Sequence, residues 1–265
     1  MHELIVFLRA ADREAIKAEL TQVLPEVKSM HRCEAIARGL GFRTEAALLA
    51  ALRAANGVKA TTNGVRFCSY LREKGFDVSP LPFRHAVARV AIRAVIARMP
   101  KLTRHGVGVG APQRRDDGRW ESVEDLHLRA RASRDELLGD AGVDEVLRSL
   151  AFLAHAPATR TIRPRTSSYW IKHIAENYVA GGPGSEWSEP GYVANGSLIA
   201  AALHLGFLCK TSVDEFGWDR RTVTFNMSNS ALVELDIQYR PHGARAEDRR
   251  RRAEERAWRS APPFA

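Results

Sequence analysis

Cysteine is scarce and scattered: Cys33, Cys68 and Cys209 are the three in the chain. They form no CxxC pair and are odd in number, which argues against both a disulfide framework and a zinc knuckle and favours a reducing, cytoplasmic setting. No run approaches the roughly 18 uninterrupted apolar residues that a membrane span needs. The start, Met1-His2-Glu3, lacks the basic region of a secretory signal, and the apolar run Leu4 to Leu8 is too short for a signal or a span. No membrane partner is expected, and there is no internal repeat.

Acidic residues are missing from two long segments. Between Val78 and Arg115 there is not one Asp or Glu, yet Arg84, Arg89, Arg93, Arg98, Lys101, Arg104, Arg114 and Arg115 all fall there. Those eight charges nearly equal the net +9 of the whole chain. A second acid-free stretch, Val146 to Ala175, holds Arg148, Arg160, Arg163, Arg165 and Lys172 beside Tyr169 and Trp170. Arginine close to aromatics suits phosphate contacts and base stacking. The competing explanation is that these cations are solvated or paired with acids from elsewhere, above all from the acid-bearing segment 121–145.

What is present in quantity points to a folded protein. The chain has 265 residues, 45% of them hydrophobic, enough to bury a core in one large domain or two smaller ones. Its pI near 9.9 concerns partners rather than fold.

Helical spacing of apolar residues runs from Asp12 to Leu24 and stops at Pro25; Leu4 to Leu8 fits either a strand or the first turns of that helix. Further helices are expected at Cys33–Leu40 and Glu45–Ala55, separated by the Gly41-Phe42-Arg43-Thr44 turn, and at Val65–Lys74. Phe83 to Met99 reads as one helix ended by Pro100, with Arg89 and Arg93 on one face at about 100° per residue. Lys101 to Arg119, rich in glycine and without periodicity, reads as an exposed loop or hinge.

Helices then fit Ser122–Leu138, Val143–Ala154 and Ser167–Val179, the last capped by Ser167 or Ser168, before a polar loop Gly181–Gly191 containing Trp187. Asn195 is placed to cap a helix from Gly196 to Leu205. Thr222–Met227 and the alternating Val233, Leu235, Ile237 and Tyr239 suggest a small hairpin, with a helix capped by Ser228 or Ser230 as the alternative. Ala244 to Arg259 reads as a solvated helix or a frayed basic tail.

The expected fold is therefore mainly α: an N-terminal helical unit (1–99), a basic glycine-rich loop or hinge (100–119), a C-terminal α+β unit with a small antiparallel hairpin (120–243) and a basic tail (244–265).

Familiar motifs are weak. Glu34 to Leu52 has helix-turn-helix spacing, but its second helix offers Ala46, Ala47, Leu48, Leu49, Ala50, Ala51 and Leu52, so only Glu45 and Arg53 could read base edges. His105-Gly-Val-Gly-Val-Gly110 has glycines that would let backbone approach a phosphate, without the strand and helix a dinucleotide fingerprint needs. His173 and Glu176 stand at half a metal site's i,i+3 spacing, with no recognisable second half among His31, Cys33, Glu34 and His204. No metal, cofactor or catalytic residue is assigned, and nothing makes the chain an enzyme; His173 and Glu176 with Tyr169 and Lys172 are the residues an enzyme reading would use.

The segment Ser168-Tyr-Trp-Ile-Lys-His-Ile-Ala-Glu176, followed by Gly191-Tyr-Val-Ala-Asn-Gly-Ser-Leu-Ile-Ala-Ala-Ala-Leu-His-Leu-Gly-Phe207, resembles a pattern in uncharacterised phage, prophage and plasmid proteins. It covers about 40 of the 265 residues and departs from the pattern at Trp170, where glycine is common, and in a longer spacer. The resemblance implies a mobile genetic element, where DNA maintenance, regulation and counter-defence are common tasks.

The reading these observations favour is a nucleic-acid-binding accessory protein of such an element. Its phosphate track would comprise Arg84, Arg89, Arg93, Arg98, Lys101, Arg104, Arg114 and Arg115, extended by Arg160, Arg163, Arg165 and Lys172, with DNA or RNA as partner. The alternative is an interaction or inhibitor protein that binds an acidic protein or a ribonucleoprotein.

Overall fold

The computed structural model describes residues 4–180 and 187–260, the last three of these by backbone alone. The described residues form eleven helices and three two-stranded antiparallel sheets, so the fold is mainly α with small hairpins. Two compact units are present, Met1–Pro100 with Leu138–Asp144 and Lys101–Leu137 with Glu145–Ala265. No helix among the described residues is long and apolar enough to cross a membrane.

The first unit contains β1 (Ile5–Leu8), α1 (Ala10–Val23), α2 (Ser29–Gly39), α3 (Glu45–Ala54), β2 (Val58–Thr61), α4 (Gly64–Glu73) and α5 (Leu81–Arg98). Leu4 to Leu8 takes the strand option: Val6 and Leu8 are buried, Ile5 and Phe7 are exposed, and β1 pairs β2 from Ile5↔Thr61 to Leu8↔Val58. Thr44 Oγ1 accepts the Ala47 N–H at 3.2 Å and Asn63 Oδ1 the Arg66 N–H at 2.9 Å, which fixes the starts of α3 and α4.

Phe83 stacks on Phe67 with ring centroids 4.7 Å apart. A side-chain carbon on Gly39 would lie 2.6 Å from the Phe83 ring, so only glycine fits there. The α2–α3 pair buries Leu48 and Leu52 and exposes Ala46, Ala47 and Ala50 beside Arg53. That alanine face has no row of polar groups to read base edges.

The remaining elements are β3 (Leu102–Thr103), β4 (Gly106–Val107), α6 (Val123–Leu138), α7 (Asp140–Leu153), α8 (Ser168–Glu176), α9 (Asn195–His204), β5 (Cys209–Lys210), β6 (Thr224–Phe225), α10 (Asn229–Tyr239) and α11 (Ala244–Ser260).

Three local expectations change within the second unit. Residues 101–110 are not an exposed loop: β3 and β4 form a buried hairpin. Gly106, at φ 134°, has room for no side chain, because a carbon there would lie 2.1 Å from the Arg221 carbonyl oxygen. The Val107 and Gly108 N–H groups bond to Arg221 O and Lys101 O at 3.1 and 2.7 Å, so neither is free to cradle a phosphate.

The hairpin partner of 222–227 is also different. β6 pairs with β5, while residues 229–239 form α10, with Ser228 Oγ accepting the Ala231 N–H. The 233–239 alternation was ambiguous because Leu232 and Asp236 stand at i,i+4 and are both buried on the helix.

Asn195 does not cap α9. It lies inside the helix and donates Nδ2–H to Arg221 O at 2.7 Å, while Glu145 Oε2 accepts from the Ala194 N–H at 3.1 Å and Ser197 Oγ at 2.7 Å. A buried carboxylate from α7 thus satisfies the start of α9.

Residues 244–260 take the helical option as α11, with Asp248 paired to Arg252 at 2.8 Å in the i,i+4 geometry. Of the polar loop, 181–186 lie outside the described residues; Trp187 lies 4.9 Å from the Arg148 guanidinium.

Candidate nucleic-acid interface

The two acid-free stretches meet different fates. In the first unit, Arg89 on α5 is largely enclosed and bonds to Glu19, Asp140 and the Leu138 carbonyl oxygen. The hydrogen bond from Arg89 is the largest influence on the Asp140 carboxyl and holds it below its ordinary range against a smaller burial effect. Arg84 is partly covered, and only the last turns of α5 are open: Arg93 and Arg98 are exposed and face no described carboxylate. Arg89 and Arg93 share a helix face in the sequence, but tertiary packing encloses one and leaves the other in water.

Within the second unit, Arg104 bonds to the buried Glu145 at 2.5 Å and approaches Glu136 at 3.9 Å. The hydrogen bond to Glu145 raises the Arg104 pKa further above its ordinary value. Lys101 pairs with Asp219 at 2.8 Å, Arg115 with Asp125 at 3.1 Å, and Arg114 donates to Gly118 O at 2.9 Å. Asp140, Glu136, Glu145 and Asp125 all come from 121–145, so that segment neutralises Arg89, Arg104 and Arg115 of the first stretch.

The second stretch keeps its charge where it is exposed. Arg160, Arg163 and Arg165 are all exposed and have no carboxylate partner among the described residues. Their loop is held firmly from behind by its backbone. Thr159 N–H donates to Asn226 O at 2.6 Å, Asn226 Nδ2 returns a bond to Thr159 O at 2.7 Å, and Arg163 N–H donates to Phe225 O at 2.9 Å. Thr166 Oγ1 bonds to Phe225 O at 2.6 Å and Ser168 N–H to Val223 O at 2.8 Å.

The loop is thus tied to residues 223–226 through its backbone, while the side chains of its three arginines are exposed. Lys210, exposed on β5, pairs in register with Thr224, which on its other side bridges Ser167 at the loop's end. It adds a fourth cation that no linear charge count selects, because Asp214 and Glu215 follow closely and mask it.

Lys172 is not available to a phosphate. Its side chain is 8% exposed and pairs with Glu176 at 2.8 Å, and the other Glu176 oxygen meets His173 Nδ1 at 2.6 Å. Burial pushes the Glu176 carboxyl up, but hydrogen bonds from Lys172 and His173 outweigh it and leave the carboxyl below its ordinary range. His173 and Glu176 thus occupy each other, and no group of three or more His, Cys, Asp or Glu among the described residues is arranged to hold a metal ion.

Trp170 likewise turns inward, donating Nε1–H to Asp236 at 3.0 Å beneath the Arg245 guanidinium at 3.9 Å. Arg148 is buried, donates to Tyr178 O at 3.0 Å, and has its pKa lowered by desolvation.

Comparison with known protein families, curated proteins and solved structures gives no match for this chain.

Proposed function

We propose that this chain binds nucleic acid through phosphate contacts made by Arg160, Arg163 and Arg165, with Lys210 beside them. The observation that carries the reading is the three exposed arginines on one backbone-anchored loop, none with a carboxylate partner among the described residues. Three guanidinium forks on a fixed loop meet successive phosphates with little ordering penalty, and the absent carboxylates remove the repulsion that a polyanion would otherwise meet. Arg93 and Arg98, exposed on the last turns of α5 with no carboxylate partner among the described residues, are a second cationic locus in the first unit. The resemblance of 168–207 to phage, prophage and plasmid proteins suits an accessory role on the nucleic acid of a mobile element.

The test is retention of labelled DNA and RNA across a salt series by the full chain and by the R160E/R163E/R165E variant. Loss of three phosphate contacts should reduce the salt slope on single strands by about 2, at about 0.7 per contact. An unchanged affinity and slope in the variant would remove this loop from the interface.

A second reading, docking of an acidic protein segment, draws on a groove between α10 and α11. Val233, Ile237, Arg245, Asp248, Arg249, Arg252 and Arg256 line it; Arg245, Arg249 and Arg252 pair with Asp236, Glu234 and Asp248, and Arg256 has no carboxylate partner among the described residues. An acidic amphipathic helix would cover Val233 and Ile237, meet Arg256 directly and exchange its own carboxylates for those that now pair the other three arginines. R252E/R256E should then weaken a defined protein complex while nucleic-acid retention is unchanged.

A further inference from the structure

We infer that the nucleic acid recognised is single-stranded and that its unpaired bases stack on Tyr169 and Tyr192, an inference that rests on the phosphate-binding reading above. Both tyrosines are more than half exposed, at 55% and 62%. They are nevertheless held in place. The ammonium of Lys172 stands 5.3 Å from the centroid of each ring, and Lys172 is itself fixed by the Glu176 carboxylate. The Tyr169 ring also meets His173 at 4.7 Å with the two planes nearly perpendicular.

A lysine buried beneath two exposed tyrosines has no need of a solvent-facing aromatic surface for its own neutralisation, since Glu176 already supplies the charge. What the arrangement produces is a pair of rings locked by cation–π contact, with much of their surface in water. A ring already fixed loses little freedom when a base stacks on it. Duplexes keep their base faces inside the stack, whereas a single strand offers them, and stacking on tyrosine tolerates any base.

The phosphate loop leads directly into this pair. Arg165 is followed by Thr166, bonded to Phe225 of β6, by Ser168, bonded to the neighbouring Val223, and then by Tyr169 at the first turn of α8. Trp170, the other aromatic of that run, is committed to Asp236 and Arg245. Tyr192, which precedes the buried Val193 and Ala194 at the entry to α9, supplies the second ring.

The experiment compares three labelled probes of about 20 units: a dT strand, a duplex of the same length, and an abasic strand that keeps the phosphates without bases. The full chain should bind the dT strand about tenfold or more tighter than either other probe. Y169A/Y192A should bring dT binding down to the abasic level without altering the salt slope, and Y169F/Y192F should retain wild-type affinity.

Equal wild-type binding of dT and abasic strands would overturn stacking, as would a folded Y169A/Y192A variant with undiminished dT affinity. In both cases salt-sensitive binding lost in R160E/R163E/R165E would leave the phosphate reading standing. Failure of all three probes to bind would remove both. Should the alanine pair not fold, the phenylalanine pair and the wild-type comparison of dT with abasic strand decide the matter.

Discussion

Gly196 lies directly against the carbonyl oxygen of Thr103: a side-chain carbon on this glycine would sit 1.8 Å from that oxygen. The contact joins the first turn of α9 to the β3–β4 hairpin, and the Gly196 N–H donates to Arg104 O at 2.8 Å in the same place. Gly196→Ala should therefore destabilise the protein by about 3 kcal/mol or more, because the clash is with backbone that no rotamer change can move aside. Urea unfolding of the variant checks this, and a loss below about 1 kcal/mol would mean that the hairpin can shift away.

Glu145 gives a second prediction from the same corner. Its carboxylate is 6% exposed and serves Arg104, the Ala194 N–H and Ser197 together. Glu145→Gln keeps the shape but removes the charge that neutralises Arg104, and should lose about 3 kcal/mol. In a double-mutant cycle with Arg104→Gln, unfolding free energies should give a coupling of about 1.5 kcal/mol or more; additive losses would rule out a cooperative pair.

Arg89 and Arg93 should respond in opposite ways to charge reversal. Arg89→Glu places a carboxylate among Glu19, Asp140 and the Leu138 carbonyl, and should destabilise by about 3 kcal/mol or more. Arg93→Glu, at an exposed position, should change stability by no more than about 0.5 kcal/mol. Denaturation midpoints separate them, and equal effects would contradict the burial of Arg89.

Glu176 predicts an acid-sensitive contribution to stability. Its folded pKa lies below its unfolded value, so the carboxylate stabilises the fold above the ordinary range near about 4.3. That contribution is lost as pH falls through the lowered folded value. Between about pH 5 and about pH 3 the wild type should therefore lose more stability than Glu176→Gln. Parallel pH profiles for the two proteins would contradict the shift.

Asp236 holds α8, α10 and α11 together through Trp170 at 3.0 Å, Arg240 at 3.1 Å and Arg245 at 2.6 Å. Asp236→Ala should release α11, whose many arginines then become early trypsin sites. Limited proteolysis followed by mass determination of the remaining fragment checks this; an unchanged digestion rate would place the hold on α11 elsewhere.

The helices were legible where local chemistry decides them. The Gly41–Thr44 turn and the helix after it, the stop at Pro25, and the helix before Pro100 all follow from capping, proline geometry and apolar spacing. The 229–239 segment was not settled, because Val233, Leu235, Ile237 and Tyr239 fit a strand while Leu232 and Asp236 fit a helix, and the Ser228 cap tips the balance. The paired strands β5 and β6 were not legible together, since Cys209–Lys210 is too short to carry a period of its own.

For the candidate interface, the sequence alone determined that cations outnumber acids and that two stretches contain no acid at all. Only the tertiary structure decided which of those cations remain available. Coulomb attraction acts through space and not along the chain, so Glu19 reaches Arg89 across 70 residues and Glu145 reaches Arg104 across 41. Arg160, Arg163 and Arg165 have no carboxylate partner among the described residues, because the segment 223–227 around β6 that anchors their loop brings backbone hydrogen bonds and no carboxylate.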